Sequence, residues 1–312
     1  MNGKLRAVSP LRTRLRRQWP LYLIMLPGLA YLVINNYMPL MGLQLAFKKY
    51  KINLGMWKSS FNGFKNFTFL FKSADAVKIL RNTLGYNLVF LALGTVIAIL
   101  VAILLSEVRS KRMQQGYQTV SLIPYLISYV IVSYIAYAFL GQDSGMINNS
   151  LLKPLGLKPV MWYTEAKYWP YILTLIHVWK TFGYSSIIYY ATIIGIDRTY
   201  YEAAVVDGAT AWDQIRSITL PMLKPVIITL TLLSIGRIFY SDFGLFYQVP
   251  MNVGLLYDAT NTIDTYVYRG LLETNDISRA SAAGFIQSVM GFLFVLATNA
   301  IVRKVDRDQA LF

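Results

Sequence analysis

The feature that most constrains this chain is a set of long apolar segments without formal charge. Residues 18–47, 82–106, 113–142 and 280–302 contain no Asp, Glu, Lys or Arg. About 20 apolar residues in a helix cross the roughly 30 Å hydrocarbon core of a bilayer. Two further segments, 169–194 and 225–247, are as apolar but contain isolated charges. The sequence therefore predicts six membrane spans.

The overall composition supports a membrane protein and excludes an ordinary water-soluble enzyme. Of the 312 residues, 55% are hydrophobic and 14% are charged, whereas soluble domains carry about 25% charged residues. The apolar segments are continuous and do not alternate as the strands of a membrane barrel do, which favours helices. The sequence predicts an all-α, polytopic membrane helical bundle, with residues 1–312 forming one transmembrane domain.

The net charge of +15 would by itself also suit a nucleic-acid-binding protein, so the location of the charges matters. Lys and Arg are denser in the segments 1–19, 107–118, 195–224 and 303–312 than in the segments on the other side. The positive-inside rule places these four in the cytoplasm, together with both termini. Because the chain has no Cys and a single His, disulfides, cysteine-ligated zinc sites and iron–sulfur clusters are excluded.

The predicted outer segment 48–81 is unusual because it is basic and rich in aromatic residues. Lys and Asn alternate there with Trp and Phe, and Asp75 is its only acidic residue. This pattern is typical of short amphipathic helices at a membrane interface. A solvated loop with aromatic anchors fits the same pattern, so both interpretations stay open.

The most informative segment is 197–225, between the fourth and fifth predicted spans. Residues 201–206 form a good helical run, Gly208 can interrupt it with a positive φ angle, and residues 209–218 can restart a helix with one apolar face. Leu220 and Pro221 are expected to end that helix. The segment therefore predicts a helix–turn–helix elbow, which from its pattern alone could also lie on the inner leaflet.

The elbow has the sequence Glu-Ala-Ala, then a glycine after three residues, then Ile-x-Leu-Pro after nine more. The positions concerned are Glu202, Ala203, Ala204, Asp207, Gly208, Ala209, Ile218, Leu220 and Pro221. This pattern resembles the EAA loop of ABC importer permeases, the inner-membrane components of binding-protein-dependent transport. The motifs RQWPLYLIMLPGL, NTLGYN, GMINNSLL, SDFGLFYQV and IDTYVYR extend the resemblance along the chain. Together they are similar to the LplB-type branch, sugar-importer permeases associated with uptake of complex-polysaccharide fragments.

The resemblance implies a type I importer permease fold and several partners. In that family the elbow docks into a groove of an ATPase subunit, so the nine elbow residues would couple ATP hydrolysis to the membrane helices. The implied partners are two ATPase subunits, a second homologous permease and an extracellular solute-binding lipoprotein. The chain contains no phosphate-binding loop of the form GxxxxGK[ST], so ATP and Mg²⁺ are expected on the partners and this subunit is predicted to be non-catalytic. No cofactor or metal is predicted in this chain.

Polar residues inside the predicted spans are candidates for a substrate pathway, because such residues are costly in lipid. The candidates are Tyr86, Tyr134, Tyr137, His177, Lys180, Tyr184, Arg237, Tyr240 and Asp242. Two other roles remain open for them. Lys180, Arg237 and Asp242 could form ion pairs between helices, and tyrosines also serve as interfacial anchors.

The resulting prediction is a multi-pass permease of the bacterial cell membrane that imports an oligosaccharide by alternating access. A cargo containing uronic acids would suit Lys180 and Arg237, whereas a neutral glycan would depend on aromatic stacking. An ion-coupled secondary carrier is the alternative from another class, although it leaves the elbow motif unexplained. A membrane-embedded enzyme is disfavoured because one His and no Cys leave little with which to build an active site.

Overall fold

The computed structural model describes residues 11–68 and 72–305, and the predicted basic segments 1–19 and 303–312 therefore lie partly outside it. The helices are α1 (Leu11–Leu32), α2 (Gly55–Lys58), α3 (Ala74–Ser106), α4 (Lys111–Leu126), α5 (Tyr129–Leu140), α6 (Trp169–Ile194), α7 (Arg198–Val206), α8 (Ala211–Gln214), α9 (Leu220–Ile235), α10 (Tyr257–Thr260), α11 (Ile263–Leu272) and α12 (Ile277–Val305). Shorter π-helical or 3₁₀ turns lie at Val33–Tyr37, Met38–Phe47, Lys65–Phe67, Ile147–Leu152, Ala166–Tyr168, Ile215–Thr219, Gly244–Gln248 and Gly254–Leu256. The strands of the described residues, β1 (Lys48–Lys49) and β2 (Ser60–Phe61), form an antiparallel pair.

The helices are arranged as a multi-span membrane bundle. Four described stretches are long and apolar enough to cross a bilayer, Gln18–Phe47, Asp75–Ser106, Ala211–Ile235 and Ile277–Lys304, and the bent pair of α4 and α5 adds a fifth if it counts as one span. The helix α6 has 26 residues, about 39 Å at the usual rise, but His, Lys and several Tyr residues lower its mean hydropathy. The helical membrane fold is confirmed, whereas the count of six spans is not.

The third predicted span, 113–142, is not one straight helix. The axes of α4 and α5 meet at 93°. Pro124 lacks the N–H that would continue the hydrogen-bond ladder of α4. The Ser128 hydroxyl then accepts a hydrogen bond from the Ile131 N–H and caps the start of α5. The local sequence thus ends one helix and starts another inside the predicted span.

The helices α3, α4 and α6 form the centre of the bundle. At Gly183 the backbones of α4 and α6 touch, because a Cβ built there would lie 1.9 Å from the Ser121 carbonyl oxygen. The buried core between α3 and α6 includes Tyr86, Phe90 and Trp169. A residue larger than glycine at position 183 would have to push α4 and α6 apart.

The helix α5 joins the same buried core, together with the segment 243–248. Val132 of α5 is buried in one cluster with Leu245 and Phe246. A Cβ built at Gly244 would lie 2.4 Å from the ring of Tyr129. This second close backbone approach joins α5 to the chain that follows the fifth span.

The fifth predicted span, 225–247, differs from the structure at both ends. The helix α9 ends at Ile235, and helical structure resumes only at Phe243. At its start, α8, the π turn Ile215–Thr219 and α9 run together as one helix from Ala211 to Ile235. Leu220 and Pro221 therefore do not end the elbow helix as predicted. Pro221 lies just after the π turn Ile215–Thr219, so its missing N–H falls where the helical hydrogen-bond pattern already changes, and the helix continues past it.

Candidate functional site

A cavity of about 730 Å³ lies between α3, α6 and the interrupted fifth span. Its polar lining consists mainly of hydroxyl and amide groups. These belong to Asn87, Thr95, Thr181, Ser185 and Ser234. Hydroxyl and amide side chains both donate and accept hydrogen bonds, so the cavity can bind a neutral, hydroxyl-rich molecule.

Five of the predicted pathway residues line this cavity, namely His177, Tyr184, Arg237, Tyr240 and Asp242. The His177 ring is stacked on Phe90 at a centroid distance of 3.8 Å, and the Tyr184 ring is stacked on Tyr125 at 4.8 Å. The Arg237 guanidinium forms no ion pair or hydrogen bond with another described residue. The cavity therefore has aromatic walls and one exposed cation whose charge is not neutralised by a neighbour.

The other predicted pathway residues lie elsewhere. Tyr86 is buried outside the cavity, where its hydroxyl donates a hydrogen bond to the Ala259 carbonyl oxygen at 2.8 Å. Tyr134 and Tyr137 are exposed on α5 and do not line the cavity. Their placement suits packing and interfacial positions better than a shared pathway.

Lys180 is the clearest correction among the pathway candidates, because it is buried and does not line the cavity. Its Nζ donates hydrogen bonds to the carbonyl oxygens of Pro124 (3.0 Å) and Tyr125 (2.9 Å) and also to that of Ile127. It lies 4.8 Å from the centroid of the Tyr129 ring. These carbonyls belong to the C-terminal end of α4 and to the bend after it, where the helix dipole favours a cation.

The predicted ion pairs among Lys180, Arg237 and Asp242 are not formed. The ion pairs of the described residues join other side chains, Lys78 with Asp258, Lys167 with Glu165 and Arg279 with Asp276. Asp242 instead accepts hydrogen bonds from the backbone N–H groups of Gly244 (3.0 Å) and Leu245 (3.4 Å). Its carboxylate thereby caps the helical turn that follows the break in the fifth span.

The irregular backbone between Ile235 and Phe243 is held by side chains from three other helices. Asn87 Nδ2 donates to the carbonyl oxygens of Ile238 and Tyr240, both at 2.9 Å. Gln287 Nε2 donates to the Phe239 carbonyl oxygen at 2.8 Å, and Asp264 Oδ2 accepts from the Ser241 N–H at 2.6 Å. Backbone that leaves the helix at membrane depth needs such partners, because lipid offers none.

Sequence reasoning missed Asn87, Asp264 and Gln287 as a group. A signal was present, since Asn87 and Gln287 are amides inside predicted apolar spans and such groups need hydrogen-bond partners. Their common target could not be read from the sequence, because they lie far from residues 236–242 in the chain. They position the lining of the cavity and do not themselves add a charge to it.

We expect Asn87→Asp to destabilise the fold by about 2 kcal/mol. The substitution keeps the shape of the side chain but places a carboxylate oxygen against the carbonyls of Thr83, Ile238 and Tyr240, which now accept from Nδ2. The free energy of unfolding of the detergent-solubilised protein measures this. Asn53→Asp is the control, because Asn53 is exposed and lies outside the candidate spans. If the two variants are equally stable, Asn87 does not hold the irregular backbone between Ile235 and Phe243.

The second candidate site is the elbow formed by α7, Gly208 and α8. Gly208 has a φ of +80°, as predicted, and no atom lies within 4 Å of a Cβ built there. Thr210 begins the second helix with a capping box, in which its hydroxyl and the Asp213 carboxylate bond to each other's backbone. At the start of α7 Asp197 accepts a hydrogen bond from the Thr199 N–H, which lowers the pKa of the Asp197 carboxyl.

The elbow presents a largely exposed surface. Of the nine motif residues, those exposed are Glu202, Ala203, Asp207, Gly208 and Pro221, and those half-buried are Ala204, Ala209, Ile218 and Leu220. Large apolar side chains stand beside them, with Val206 87% and Trp212 67% exposed. Exposed apolar groups around a rigid turn are typical of a protein-binding surface.

The elbow is also tied firmly to the membrane helices. Tyr201 Oη lies 2.9 Å from Thr219 Oγ1, which joins α7 to the π turn. Ile215 and Leu220 pack against a buried cluster that contains Tyr189 of α6 and Leu223 of α9. The elbow is therefore packed directly on α6 and α9.

Comparison with protein families decides what kind of protein this architecture belongs to. Residues 80–309 match the family described as binding-protein-dependent transport system inner membrane component. The chain belongs to this family. It is therefore a transport component with several membrane passes, and the predicted resemblance to importer permeases is confirmed.

Individual relatives agree with the predicted branch of this permease family. Protein LplB of Bacillus subtilis (strain 168) is 32% identical, over 94% of this chain and 91% of the relative. The polygalacturonan/rhamnogalacturonan transport system permease protein YteP of the same organism is 36% identical, over 95% of this chain and 91% of the relative. The similarity thus extends well beyond the elbow.

A solved structure shares the fold of this permease. It is a bacterial ABC transporter involved in the import of the acidic polysaccharide alginate, and one of its chains superposes with a TM-score of 0.85 at 33% identity. The match covers 95% of this chain and 99% of that chain. A second solved structure, of a bacterial alginate ABC transporter in complex with an alginate pentasaccharide-bound periplasmic protein, matches equally well, at a TM-score of 0.85 and 34% identity.

Proposed function

We propose that this permease forms part of the membrane pathway of an ATP-driven importer that moves oligosaccharides into the bacterial cell. The observation that carries the proposal is the cavity between α3, α6 and the broken fifth span. Its hydroxyl and amide groups suit sugar hydroxyls, and the exposed rings of Tyr184 and Tyr240 suit the apolar faces of sugar rings. The proposal includes both termini in the cytoplasm, as the positive-inside rule favours, so that the elbow lies on the same side as ATP.

The proposed importer contains further subunits. A second homologous permease completes the pathway, two ATPase subunits bind ATP and Mg²⁺, and an extracellular binding protein delivers the sugar. The exposed apolar and acidic surface around Gly208 supports docking of an ATPase subunit at the elbow. No cofactor or metal is assigned to this chain.

The proposed mechanism is a two-state rearrangement of the bundle. ATP-driven closure of the ATPase subunits displaces the elbow. The helix from Ala211 to Ile235 then transmits the displacement, because it connects the elbow directly to the break that lines the cavity. The loaded binding protein biases the same two states from the outside.

The function is tested by oligosaccharide uptake into vesicles that contain both permeases and the ATPase subunits, with binding protein and sugar outside and ATP inside. We expect uptake to require ATP, the ATPase subunits and the binding protein. Uptake that persists without the ATPase but stops when an uncoupler dissipates the ion gradient would instead identify a secondary carrier.

One observation favours an acidic, uronate-containing cargo over a neutral one. Arg237 is exposed to the cavity and is not ion-paired with any residue that the structure describes, whereas the Asp242 carboxylate in the same lining accepts hydrogen bonds from backbone N–H groups. A guanidinium binds a carboxylate through paired hydrogen bonds. Arg237 therefore gives the cavity a selective contact for a uronic acid.

We expect Arg237→Gln to weaken transport of an oligogalacturonate at limiting concentration by about tenfold or more, since a hydrogen bond to a charged group contributes about 1.5–3 kcal/mol. Transport of a neutral arabino-oligosaccharide should change less than about twofold. Concentration series of uptake for both sugars measure this, with Arg303→Gln at the end of α12 as the control. An equal loss for both sugars would assign Arg237 a structural role.

A further inference from the structure

The segment 47–68, called the hairpin segment below, lies where two membrane helices end. The first candidate span ends at Phe47 and the last begins at Ile277. The Tyr50 N–H donates a hydrogen bond to Ser278 Oγ at 2.9 Å, and the Phe47 and Phe285 rings meet edge to face at 5.2 Å. The hairpin segment is thus fixed at the depth where both helices leave the hydrocarbon.

The hairpin segment is a built structure. Asn66 Nδ2 donates to the carbonyl oxygens of Ala46 and Lys48 at 2.8 and 2.9 Å. Lys48 Nζ donates to the Met56 carbonyl oxygen at 2.9 Å, and Ser59 Oγ donates to that of Gly55 at 2.6 Å. These bonds fix the directions in which the remaining side chains project.

Large apolar side chains project from this scaffold. Ile52 is 83% exposed, Trp57 68%, Phe61 75% and Phe64 73%. Such a concentration is unfavourable in water, but aromatic and aliphatic side chains are stabilised at the boundary between lipid headgroups and acyl chains. The location of the hairpin segment at the ends of two spans supplies that boundary.

The charges of the hairpin segment are all of one sign. Lys49, Lys51, Lys58 and Lys65 are exposed, and their ammonium groups form no hydrogen bond or ion pair with another described residue. No Asp or Glu occurs anywhere between residues 48 and 74. Lysines next to apolar anchors at a membrane surface attract anionic headgroups.

We propose that the hairpin segment binds anionic phospholipid headgroups in the leaflet at which the first span ends. Ile52, Trp57 and Phe61 insert into the interface, and the exposed lysines contact the phosphates. The depth of the segment favours lipid over the solute-binding protein, because a soluble partner would have to cover apolar groups at the level of the headgroups. Of the two interpretations left open by the sequence, this selects the interfacial one.

The test uses the absence of cysteine from the chain, which makes a single introduced thiol specific. Ser60→Cys, at an exposed position in β2, carries a fluorophore in the assembled importer in nanodiscs. Phosphatidylglycerol and phosphatidylcholine with a nitroxide near the headgroup are compared as quenchers at equal mole fraction. We expect phosphatidylglycerol to quench about fivefold more effectively, the enrichment given by about one lysine contact.

Charge removal supplies the matched comparison. Lys49→Gln, Lys51→Gln and Lys58→Gln together should reduce the difference between the two lipids, because Lys65 is then the one lysine left of the four exposed ones, while the same change at the exposed lysines 111, 158 and 224 should preserve the full difference. If the two lipids quench the fluorophore equally while all lysines of the hairpin segment are present, the proposal is wrong. It is also wrong if neither lipid quenches and the loaded binding protein instead shields the label from iodide, which would assign the segment to a protein partner. The comparison of the two lipids with the lysines of the hairpin segment in place decides the question even if the triple variant does not assemble.

Discussion

Gly208→Val is expected to reduce ATP hydrolysis stimulated by the loaded binding protein at least about fivefold in the reconstituted importer. Gly208 has a φ of +80°, and for other residues the left-handed conformation costs roughly 1–2 kcal/mol, more for a β-branched one. No neighbouring atom would meet the new Cβ, so the effect comes from the backbone alone. The elbow would turn in another direction and its contact with the ATPase would weaken.

Two variants make this measurement specific. Gly208→Asn should retain most of the stimulation, because Asn tolerates a positive φ angle. Gly254→Val introduces the same side chain where space is also free and φ is not positive, so it should behave as the wild type. If the Gly208→Val complex assembles fully and its stimulation is unchanged, the elbow does not couple to the ATPase and instead lies on the membrane surface.

Lys180→Met is expected to lower the free energy of unfolding by about 3 kcal/mol. Methionine preserves the length and packing of the side chain but leaves the carbonyl oxygens of Pro124, Tyr125 and Ile127 without their common donor. Chemical unfolding of the detergent-solubilised permease measures the change. Lys224→Met, which removes an exposed lysine, should change the stability by less than about 0.5 kcal/mol.

Variants of Lys180 also distinguish three roles. The sequence leaves open a contact with substrate or an ion pair, whereas the structure shows hydrogen bonds to backbone carbonyls. If Lys180→Met is as stable as Lys224→Met and loses only the transport of acidic sugars, Lys180 contacts substrate. If a reversed charge at position 242 restores the variant Lys180→Glu, the two residues form an ion pair. Neither result is expected, because the cation is bound by backbone carbonyls.

The elements that the sequence predicted well depend on local chemistry. Long uncharged segments have few alternatives to crossing a bilayer, and Gly208 lies between two helical runs where only a positive φ angle fits a tight turn. The elbow was therefore predicted with its turn in the right place. Its second helix continues past the predicted end, because a proline just after a π turn has the same local sequence pattern as a proline that ends a helix.

The errors within the site come from contacts between residues distant in the chain. His177, Lys180 and Tyr184 share a helical face at spacings of three and four, but the neighbouring helix α4 occupies the side on which Lys180 lies. The position of α4 cannot be read from α6. Similarly, Asn87 and Gln287 are conspicuous as amides in apolar spans, but their bond partners lie at a break that the local sequence did not reveal.

The two interruptions in the bundle lie next to each other in space. Helical structure is interrupted between α4 and α5 and again between α9 and the turn at 243–248. The two segments that follow these interruptions, α5 and residues 243–248, pack on each other at Tyr129 and Gly244. On the other side, α4 cannot slide past α6, because their backbones touch at Gly183. Both α5 and residues 243–248 also share one buried cluster with Tyr86 and Phe90 of α3, so a rearrangement at either interruption would move the cavity wall with it.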